Sequence, residues 1–300
     1  MQMQTKGHLA AFLTIFIWGI TFVSIKVLIG PFTPVEIMFF RLVLALLALW
    51  IVQPPRFKAA DRGARRSLSF HEELKYMAAG LCGVTLYMLF QNTALFYTLA
   101  SNVSVLISVA PLFTALVARI FLKEEALKAS FFLGFFVSIV GIILIAFNGN
   151  FILKLNPLGD ILALLAAVVW AFYSVLVKKI SARQTAMVQV TRKVFFYGLL
   201  FLLPVLPLFD FQLRLERLAV LPNLLNLLFL GVGASALCFA TWNFAVSVLG
   251  PVKTSVYIYM TPAITIAASA LLLHEKNTSV AAVGVVLILG GMYLSERQRV

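Results

Sequence analysis

Ten long apolar stretches divide the chain of 300 residues, and no other feature restricts its fold as strongly. Each stretch is close to the ~20 residues with which an α-helix crosses a bilayer. The stretches lack the alternation of apolar and polar residues, in segments of ~10, that is typical of membrane β-barrels. The sequence therefore predicts an all-α integral membrane protein with ten transmembrane helices. We place them at residues 9–29, 35–52, 74–97, 101–122, 130–147, 158–177, 186–209, 224–249, 252–273 and 278–294.

The composition excludes several other classes of protein. Hydrophobic residues make up 62% of the chain and charged residues only 12%, against ~45–50% and ~25% in soluble domains. An ordinary cytosolic enzyme, a disordered chain and a disulfide scaffold are therefore ruled out. Cys82 and Cys238 lie inside apolar stretches, where free cysteine packs as a small apolar residue. We expect neither a metal nor a cofactor.

The basic residues predict the orientation in the membrane. With the amino terminus inside, fifteen lysines and arginines lie in cytoplasmic segments and four on the opposite side. Cytoplasmic loops of membrane proteins carry such an excess. The sequence therefore predicts a multi-pass protein of the cytoplasmic (inner) membrane with both termini in the cytoplasm. The net charge of +13 lies mostly at helix ends and in loops, so we expect no nucleic-acid partner.

The chain repeats itself after 151 residues. Residues 74–124 match 225–275 without a gap, and the matches include Asn92 with Asn243 and Pro111 with Pro262. Each half, 1–150 and 151–300, then holds five predicted helices. Because five is odd, the second half enters the membrane from the opposite side. Inverted repeats of this kind are a common plan of secondary transporters.

Several short motifs fall on this doubled pattern. Helix one carries W-G-x-x-F-V from Trp18 to Val23, and helix two carries P-x-E with a later Arg41. Helices four and nine each end with a proline and a glutamate separated by twelve residues, Pro111/Glu124 and Pro262/Glu275. With these motifs the whole chain resembles an EamA-type permease of the drug/metabolite transporter superfamily. The resemblance implies a basket of helices around a central cavity that moves amino acids, metabolites or drugs, often outward.

Polar and aromatic side chains inside the predicted helices are the candidates for substrate binding, because such groups are costly in lipid and tend to face a cavity. We expect the cavity between helices one, three, four, six, eight and nine, where the repeat-paired residues concentrate. Interhelical hydrogen bonds for the asparagines and plain packing for the tryptophans are the alternatives. Tyr87 is a further candidate whose facing the sequence does not define. The predicted substrate-binding residues are Trp18, Trp170, Asn92, Asn243, Ser104, Ser108, Ser255, Tyr259 and Gln91.

Four charged residues are candidates for gating or for structural ion pairs. Glu36 and Arg41 are five residues apart on helix two, which is not the spacing of an i,i+4 pair. We therefore expect each to find a partner on a neighbouring helix, with anion binding or proton coupling as the alternative. Glu124 and Glu275 lie at the ends of helices four and nine. We expect them to have roles in a gate or in the fold.

The leading functional interpretation is a secondary transporter, without enzymatic activity, for an uncharged or zwitterionic metabolite. Its partners would be a small-molecule substrate, the lipid bilayer, and protons or a counter-substrate, and the protein would be a monomer or weak homodimer. A carrier of nucleotide sugars or phosphorylated metabolites is an alternative. It would need several basic residues at the cavity, for which Arg41, Arg192, Lys193 and Lys26 are available. A lipid-modifying enzyme is a more distant alternative, and it would need clustered acids, histidines or cysteines.

The predicted topology can be tested by labelling single cysteines. In a variant without Cys82 and Cys238, a cysteine in place of Arg62 should react with a membrane-impermeant maleimide only after the cells are permeabilised. A cysteine in place of Arg214 is the matched control and should react in intact cells. The reverse pattern would contradict the assignment.

Overall fold

The structure is a computed structural model that describes residues 2–53, 69–98, 100–123, 129–147, 156–181, 186–209, 211–273 and 279–296. These residues are nearly all helical, and no β-strand occurs among them. We number the helices in chain order as α1 (Gln2–Leu28), α2 (Pro34–Val52), α3 (Phe70–Tyr97), α4 (Ala100–Ile107 and Ala110–Leu122), α5 (Ala129–Phe147), α6 (Pro157–Ser181), α7 (Met187–Phe209), α8 (Leu221–Leu249), α9 (Pro251–Val256, Tyr257–Met260 and Thr261–Leu273) and α10 (Ser279–Glu296).

The prediction of an all-α integral membrane protein is confirmed. Seven helices of the described chain, namely α1 to α4 and α6 to α8, are long and apolar enough to cross a membrane. Two shorter apolar stretches, Ala129–Leu144 and Val283–Ser295, lie in α5 and α10. Because α9 is divided into three short pieces, the number of ten complete crossings stays a prediction.

Four helices are irregular at related places. The course of α4 breaks at residues 108–109, just before Pro111, and α9 passes through a tight turn at Tyr257–Met260, just before Pro262. Proline has no N–H and clashes with the preceding turn, which explains both breaks. Helices α3 and α8 widen into π-helical turns at Leu81–Leu86 and Phe229–Leu237. Such turns often occur at functional sites.

Corresponding helices of the two halves make corresponding contacts. Helix α1 packs against α8 and α9, and its counterpart α6 packs against α3 and α4. Helix α2 packs against α8, and its counterpart α7 packs against α3. The largest apolar core lies where α1, α2, α3, α6, α7 and α8 meet. The paired contacts follow the repeat of the sequence.

Helices α5 and α10 pack against each other through glycines and run in opposite directions. Gly134 lies against the backbone of Gly291, and Gly141 lies against the backbone of Gly284. Residue numbers therefore rise along one helix and fall along the other. Opposite directions for corresponding helices are what an axis in the membrane plane requires. Glycine allows this close approach because it has no Cβ.

Two lysines hold corresponding helix ends. Lys26 of α1 donates to the carbonyl oxygens of Leu95 at 2.7 Å and Thr98 at 3.2 Å. Lys178 of α6 donates to the carbonyl oxygen of Ser247 at 2.9 Å. The last carbonyls of a helix have no partner within that helix, so each lysine satisfies acceptors at the carboxyl end of α3 or α8.

The glycine contact predicts a contrast between two adjacent residues. In Gly291→Ala the new Cβ would collide with Ser138 Oγ and with the Gly134 carbonyl oxygen, whereas a Cβ at Gly290 meets no atom within 4 Å. We expect Gly291→Ala to lose roughly 1–3 kcal/mol of stability, the usual cost of overpacking. The thermal unfolding temperature in detergent measures the effect. Gly290→Ala should match the wild type, and an equal loss in both variants would contradict the packing.

Candidate functional site

A cavity lies at the centre of the bundle, between the two halves of the chain. Its free volume is about 30 Å³, which leaves room for only a few water molecules. The cavity is therefore almost filled by its own side chains, and a substrate could enter only if helices moved apart. The lining residues are Ile15, Trp18, Thr21, Phe22, Arg41, Tyr87, Gln91, Ile107, Trp170, Phe239, Ile258 and Thr261.

The six helices predicted to wall a central cavity, α1, α3, α4, α6, α8 and α9, all contribute to this lining, and α2 adds Arg41. Two pairs of lining residues correspond in the repeat. Trp18 corresponds to Trp170 at a shift of 152, and Ile107 corresponds to Ile258 at a shift of 151. Ile107 and Ile258 lie beside the breaks in α4 and α9. The breaks thus bring backbone and side chains of both helices to the cavity wall.

Aromatic rings form one wall of the cavity. The rings of Trp18 and Trp170 meet edge to face with centroids 5.2 Å apart, and Tyr87 lies 4.7 Å from Trp170. Phe239 packs 5.5 Å from Trp18. The Nε1 of Trp18 donates to the Ala234 carbonyl oxygen at 2.8 Å. The Nε1 of Trp170 is buried and has no hydrogen-bond partner among the described residues.

Arg41 brings a positive charge to the cavity. The side chain is buried, with 4% of its surface exposed, and its Nε donates to Ser235 Oγ at 2.5 Å. Ser235 belongs to the π-helical turn of α8. No carboxylate forms an ion pair with Arg41 within the described ranges. A charge inside the membrane is costly and is a mark of function.

Glu36 is not the partner of Arg41. Its carboxylate is fully buried and accepts from the backbone N–H of Thr33 at 2.8 Å and of Gln212 at 3.3 Å. Arg214, between α7 and α8, places its Nε 3.7 Å from the carboxylate. Arg41 thus finds its partner on a neighbouring helix, as expected, whereas Glu36 is held by the N-cap of its own helix and by residues between α7 and α8. The other two charged candidates, Glu124 and Glu275, lie outside the described residues.

The two corresponding asparagines do not line the cavity. Asn243 accepts a hydrogen bond from the hydroxyl of Tyr173 at 2.7 Å and donates to Thr191 Oγ1 at 2.9 Å. Asn92 donates to the Pro34 carbonyl oxygen at 3.3 Å, and its Oδ1 has no partner in the described part of the chain. Both geometries correspond to the alternative considered from the sequence, in which the asparagines tie neighbouring helices together.

The hydroxyl candidates on α4 and α9 also lie away from the cavity. Ser108 donates to the Ser104 carbonyl oxygen and Ser255 to the Val252 carbonyl oxygen, each at 2.7 Å. Serine in a helix commonly satisfies its hydroxyl on its own backbone in this way. Tyr259 is buried in a separate apolar cluster with residues of α5 and α10. Of the nine predicted binding residues, the structure brings together Trp18, Trp170 and Gln91 at the cavity.

The other basic residues considered for an anionic substrate have partners elsewhere. Arg192 donates to the Gln53 carbonyl oxygen at 2.6 Å, and Lys193 pairs with Glu73 at 2.5 Å. Lys26 binds the end of α3, as described above. Arg41 is therefore the one basic residue among the described cavity-lining residues. In the same described chain no group of three His, Cys, Asp or Glu side chains could hold a metal ion.

Several lining residues were not predicted from the sequence. Tyr87 was a candidate without a defined facing, and its position four residues before Gln91 places both on one face of α3. Phe239 and Thr261 carried no such signal. The helices are apolar on the lipid side as well as on the core side, so their periodicity does not show which face turns inward.

A second, larger opening lies at the end of the bundle where α1 and α3 finish. Its volume is about 410 Å³. It is bordered by Gly30, Phe32, Thr33, Pro34, Val35, Thr93, Phe96, Tyr97, Leu208, Phe209, Arg214 and Arg217. Pro34, on its border, is also the partner of Asn92.

The chain matches known proteins over nearly its whole length. The model of the EamA-like transporter family matches the chain twice, over residues 5–147 and 157–297. An uncharacterized transporter of Archaeoglobus fulgidus is 30% identical over 98% of both chains. A probable terminal-alkyne amino-acid exporter of Streptantibioticus cattleyicolor is 28% identical over 98% of this chain and 94% of its own.

A more distant relative and one solved structure also match. A probable amino-acid metabolite efflux pump of Escherichia coli is 25% identical over 98% of this chain and 95% of its own. A protein known from a crystal structure has 18% identity and a TM-score of 0.75, with 97% of this chain and 96% of that chain covered. At this identity the match shows a shared fold.

The asparagine geometry predicts unequal effects of two equivalent substitutions. Asn243→Ala would leave the buried hydroxyls of Tyr173 and Thr191 without this partner, at a cost of about 1–3 kcal/mol. Asn92→Ala removes one long hydrogen bond together with an oxygen that has no described partner, so its cost should be smaller. Thermal unfolding in detergent compares the two variants. A larger loss for Asn92→Ala would contradict the structure.

Proposed function

The chain belongs to the EamA-like transporter family, and from this membership we propose that it is a secondary active transporter that exports a small metabolite across the cytoplasmic membrane. The observation that carries the proposal is the cavity between the halves, lined by the corresponding pairs Trp18/Trp170 and Ile107/Ile258. Binding between two repeats is what alternating access requires, because one site must face each side in turn. The relatives named above are also transporters.

The proposed transport step is a rocking of residues 1–150 against residues 151–300. The cavity of about 30 Å³ is far smaller than the ~300–1,000 Å³ of ordinary ligand pockets, so it has to widen to take a substrate. The breaks in α4 and α9 supply places where helices can bend. With both termini in the cytoplasm, the opening of about 410 Å³ would lie on the outer side and serve as the exit.

The proposed substrate is an amino acid or a drug-like molecule, uncharged or zwitterionic. Two relatives are named as an amino-acid exporter and an amino-acid metabolite efflux pump, and the described cavity wall is mostly apolar with a few polar groups. A phosphorylated substrate fits less well, since Arg41 alone among the proposed basic residues reaches the cavity. Protons or a counter-substrate would drive the cycle, and the unit would be a monomer or weak homodimer.

Counterflow into proteoliposomes tests this function. Vesicles that hold the purified protein and are preloaded with an unlabelled mixture of amino acids should accumulate a labelled amino acid from outside, and the initial rate should saturate. Loss of ring contacts in Trp18→Ala should weaken apparent affinity about two- to tenfold. Trp50→Ala is the matched control, because Trp50 lies on α2 with 51% of its surface exposed.

Three results would contradict the proposal. Flux that rises linearly with concentration would indicate a channel, and release of a chemically altered product would indicate an enzyme. Vesicles that accumulate nothing, whether preloaded with amino acids or with drug-like amphiphiles, would exclude the proposed substrate classes.

A further inference from the structure

The charge of Arg41 has no counter-charge in the described structure. The Arg41 side chain is buried and lines the same cavity as the rings of Trp18, Trp170, Tyr87 and Phe239. None of the described lining residues is acidic, and Glu36 is held by Thr33, Gln212 and Arg214. A buried cation is stable only when it is paired and hydrogen-bonded. The described cavity wall therefore offers Arg41 no anion, and a substrate could supply one.

Hydrogen-bond donors at the cavity are also left without acceptors. The Ser235 hydroxyl oxygen accepts a hydrogen bond from Arg41 Nε. The guanidinium makes no other hydrogen bond to the described residues. The Nε1 of Trp170, which is 2% exposed, has no partner among the same residues. Arginine presents a planar fork that matches the two oxygens of a carboxylate. A carboxylate could accept from this fork, and a further acceptor of the substrate could use the indole N–H.

We propose that the substrate is a monocarboxylate with an apolar body, and that Arg41 binds its carboxylate group. This inference rests on the proposed transport function and, for the same cavity, replaces an uncharged substrate by one that carries a carboxylate. The apolar body would lie between the rings of Trp18 and Trp170 and the side chains of Ile107 and Ile258. An amino acid is one member of this class, because its carboxylate can pair with Arg41, although its α-ammonium group makes the molecule neutral overall.

The same argument excludes other charge types. A phosphomonoester brings up to two negative charges to one cation, which leaves a buried charge unpaired. An organic cation would add a second positive charge to a cavity whose described lining is without a carboxylate. The cavity should therefore prefer a single negative charge, and a deaminated acid should bind at least as tightly as the corresponding amino acid.

Ser235 acts here as a positioning residue. The π-helical turn of α8 presents the Ser235 hydroxyl to Arg41 and the Ala234 carbonyl oxygen to Trp18. One irregular turn thus holds both the cation and one of the rings. Because Ser235 contacts the guanidinium on Nε, the edge of the fork formed by its two Nη atoms is left for a ligand.

Tryptophan fluorescence of the purified protein can test the proposal with four probes that share one ring. These are 3-phenylpropionate, phenylalanine, phenylalaninamide and phenethylamine, none of which contains an indole. Both carboxylates should change the emission in a saturable way, because Trp18 and Trp170 line the cavity. The amide and the amine, which lack the carboxylate, should bind about tenfold more weakly or worse, as expected for the loss of a charge-assisted hydrogen bond.

Substitutions locate the preference at Arg41. Arg41→Gln should weaken carboxylate binding about ten- to a hundredfold and make the four probes nearly equal, whereas Arg41→Lys keeps the charge and should retain part of the preference. Arg192→Gln is the matched control, because Arg192 lies 151 residues later and contacts Gln53 and Trp50. It should keep the wild-type preference. Size-exclusion profiles and unfolding temperatures verify that each variant is folded.

The outcomes separate this proposal from the transport function. Equal binding of all four probes to the wild type, failure of both carboxylates to bind, or a full preference in folded Arg41→Gln would overturn the proposal, even if counterflow is observed. Selective carboxylate binding that depends on Arg41, in a protein without counterflow, would keep the carboxylate site and reject transport. The comparison of probes on the wild type decides the matter if Arg41→Gln does not fold.

Discussion

The hydrocarbon core of a bilayer can neither accept nor donate a hydrogen bond, and this constraint explains the partners of many polar side chains in the bundle. Serine and threonine hydroxyls often donate to a carbonyl oxygen of their own helix, as Ser108 does. Lys26 and Lys178 satisfy carbonyls at the ends of neighbouring helices, and Asn243 joins three helices. Against this background the exceptions are informative. Arg41 lacks a counter-charge and Trp170 Nε1 lacks an acceptor in the described chain, and both line the cavity, whereas other unpartnered atoms, such as the Tyr259 hydroxyl, lie elsewhere.

The fold could be predicted from the sequence to a large extent. Its strongest signals, apolar stretches of bilayer length and a repeat of 151 residues, depend only on length and identity along the chain. The breaks before Pro111 and Pro262 were also predictable, because proline removes a donor wherever it occurs in a helix. The π-helical turns of α3 and α8 were not, since no residue type specifies them. Gly80, beside one turn, and Gly231, within the other, approach neighbouring helices closely.

The site was predictable only in part, and the reason is physical. A helix of a soluble protein shows its inward face by its apolar stripe, whereas these helices are apolar toward both lipid and core. Trp18 and Trp170 were found because they recur in the repeat and are large. Asn92 and Asn243 recur equally well but tie helices, because recurrence reports an equivalent position and not the direction of a side chain. Arg41 was considered as a charge to be neutralised, and only the structure shows that no described residue neutralises it.

The unpaired guanidinium also bears on how the membrane potential acts on the protein. An elementary charge that crosses the full potential changes its energy by about 2.3 kcal/mol per 100 mV. On the proposed scheme, a cavity loaded with a substrate of net charge −1 is electrically neutral, whereas an unloaded one carries the charge of Arg41. Voltage would then act on the return of the unloaded carrier and leave the loaded step nearly unaffected. One buried side chain would in this way make the rate of turnover depend on the membrane potential.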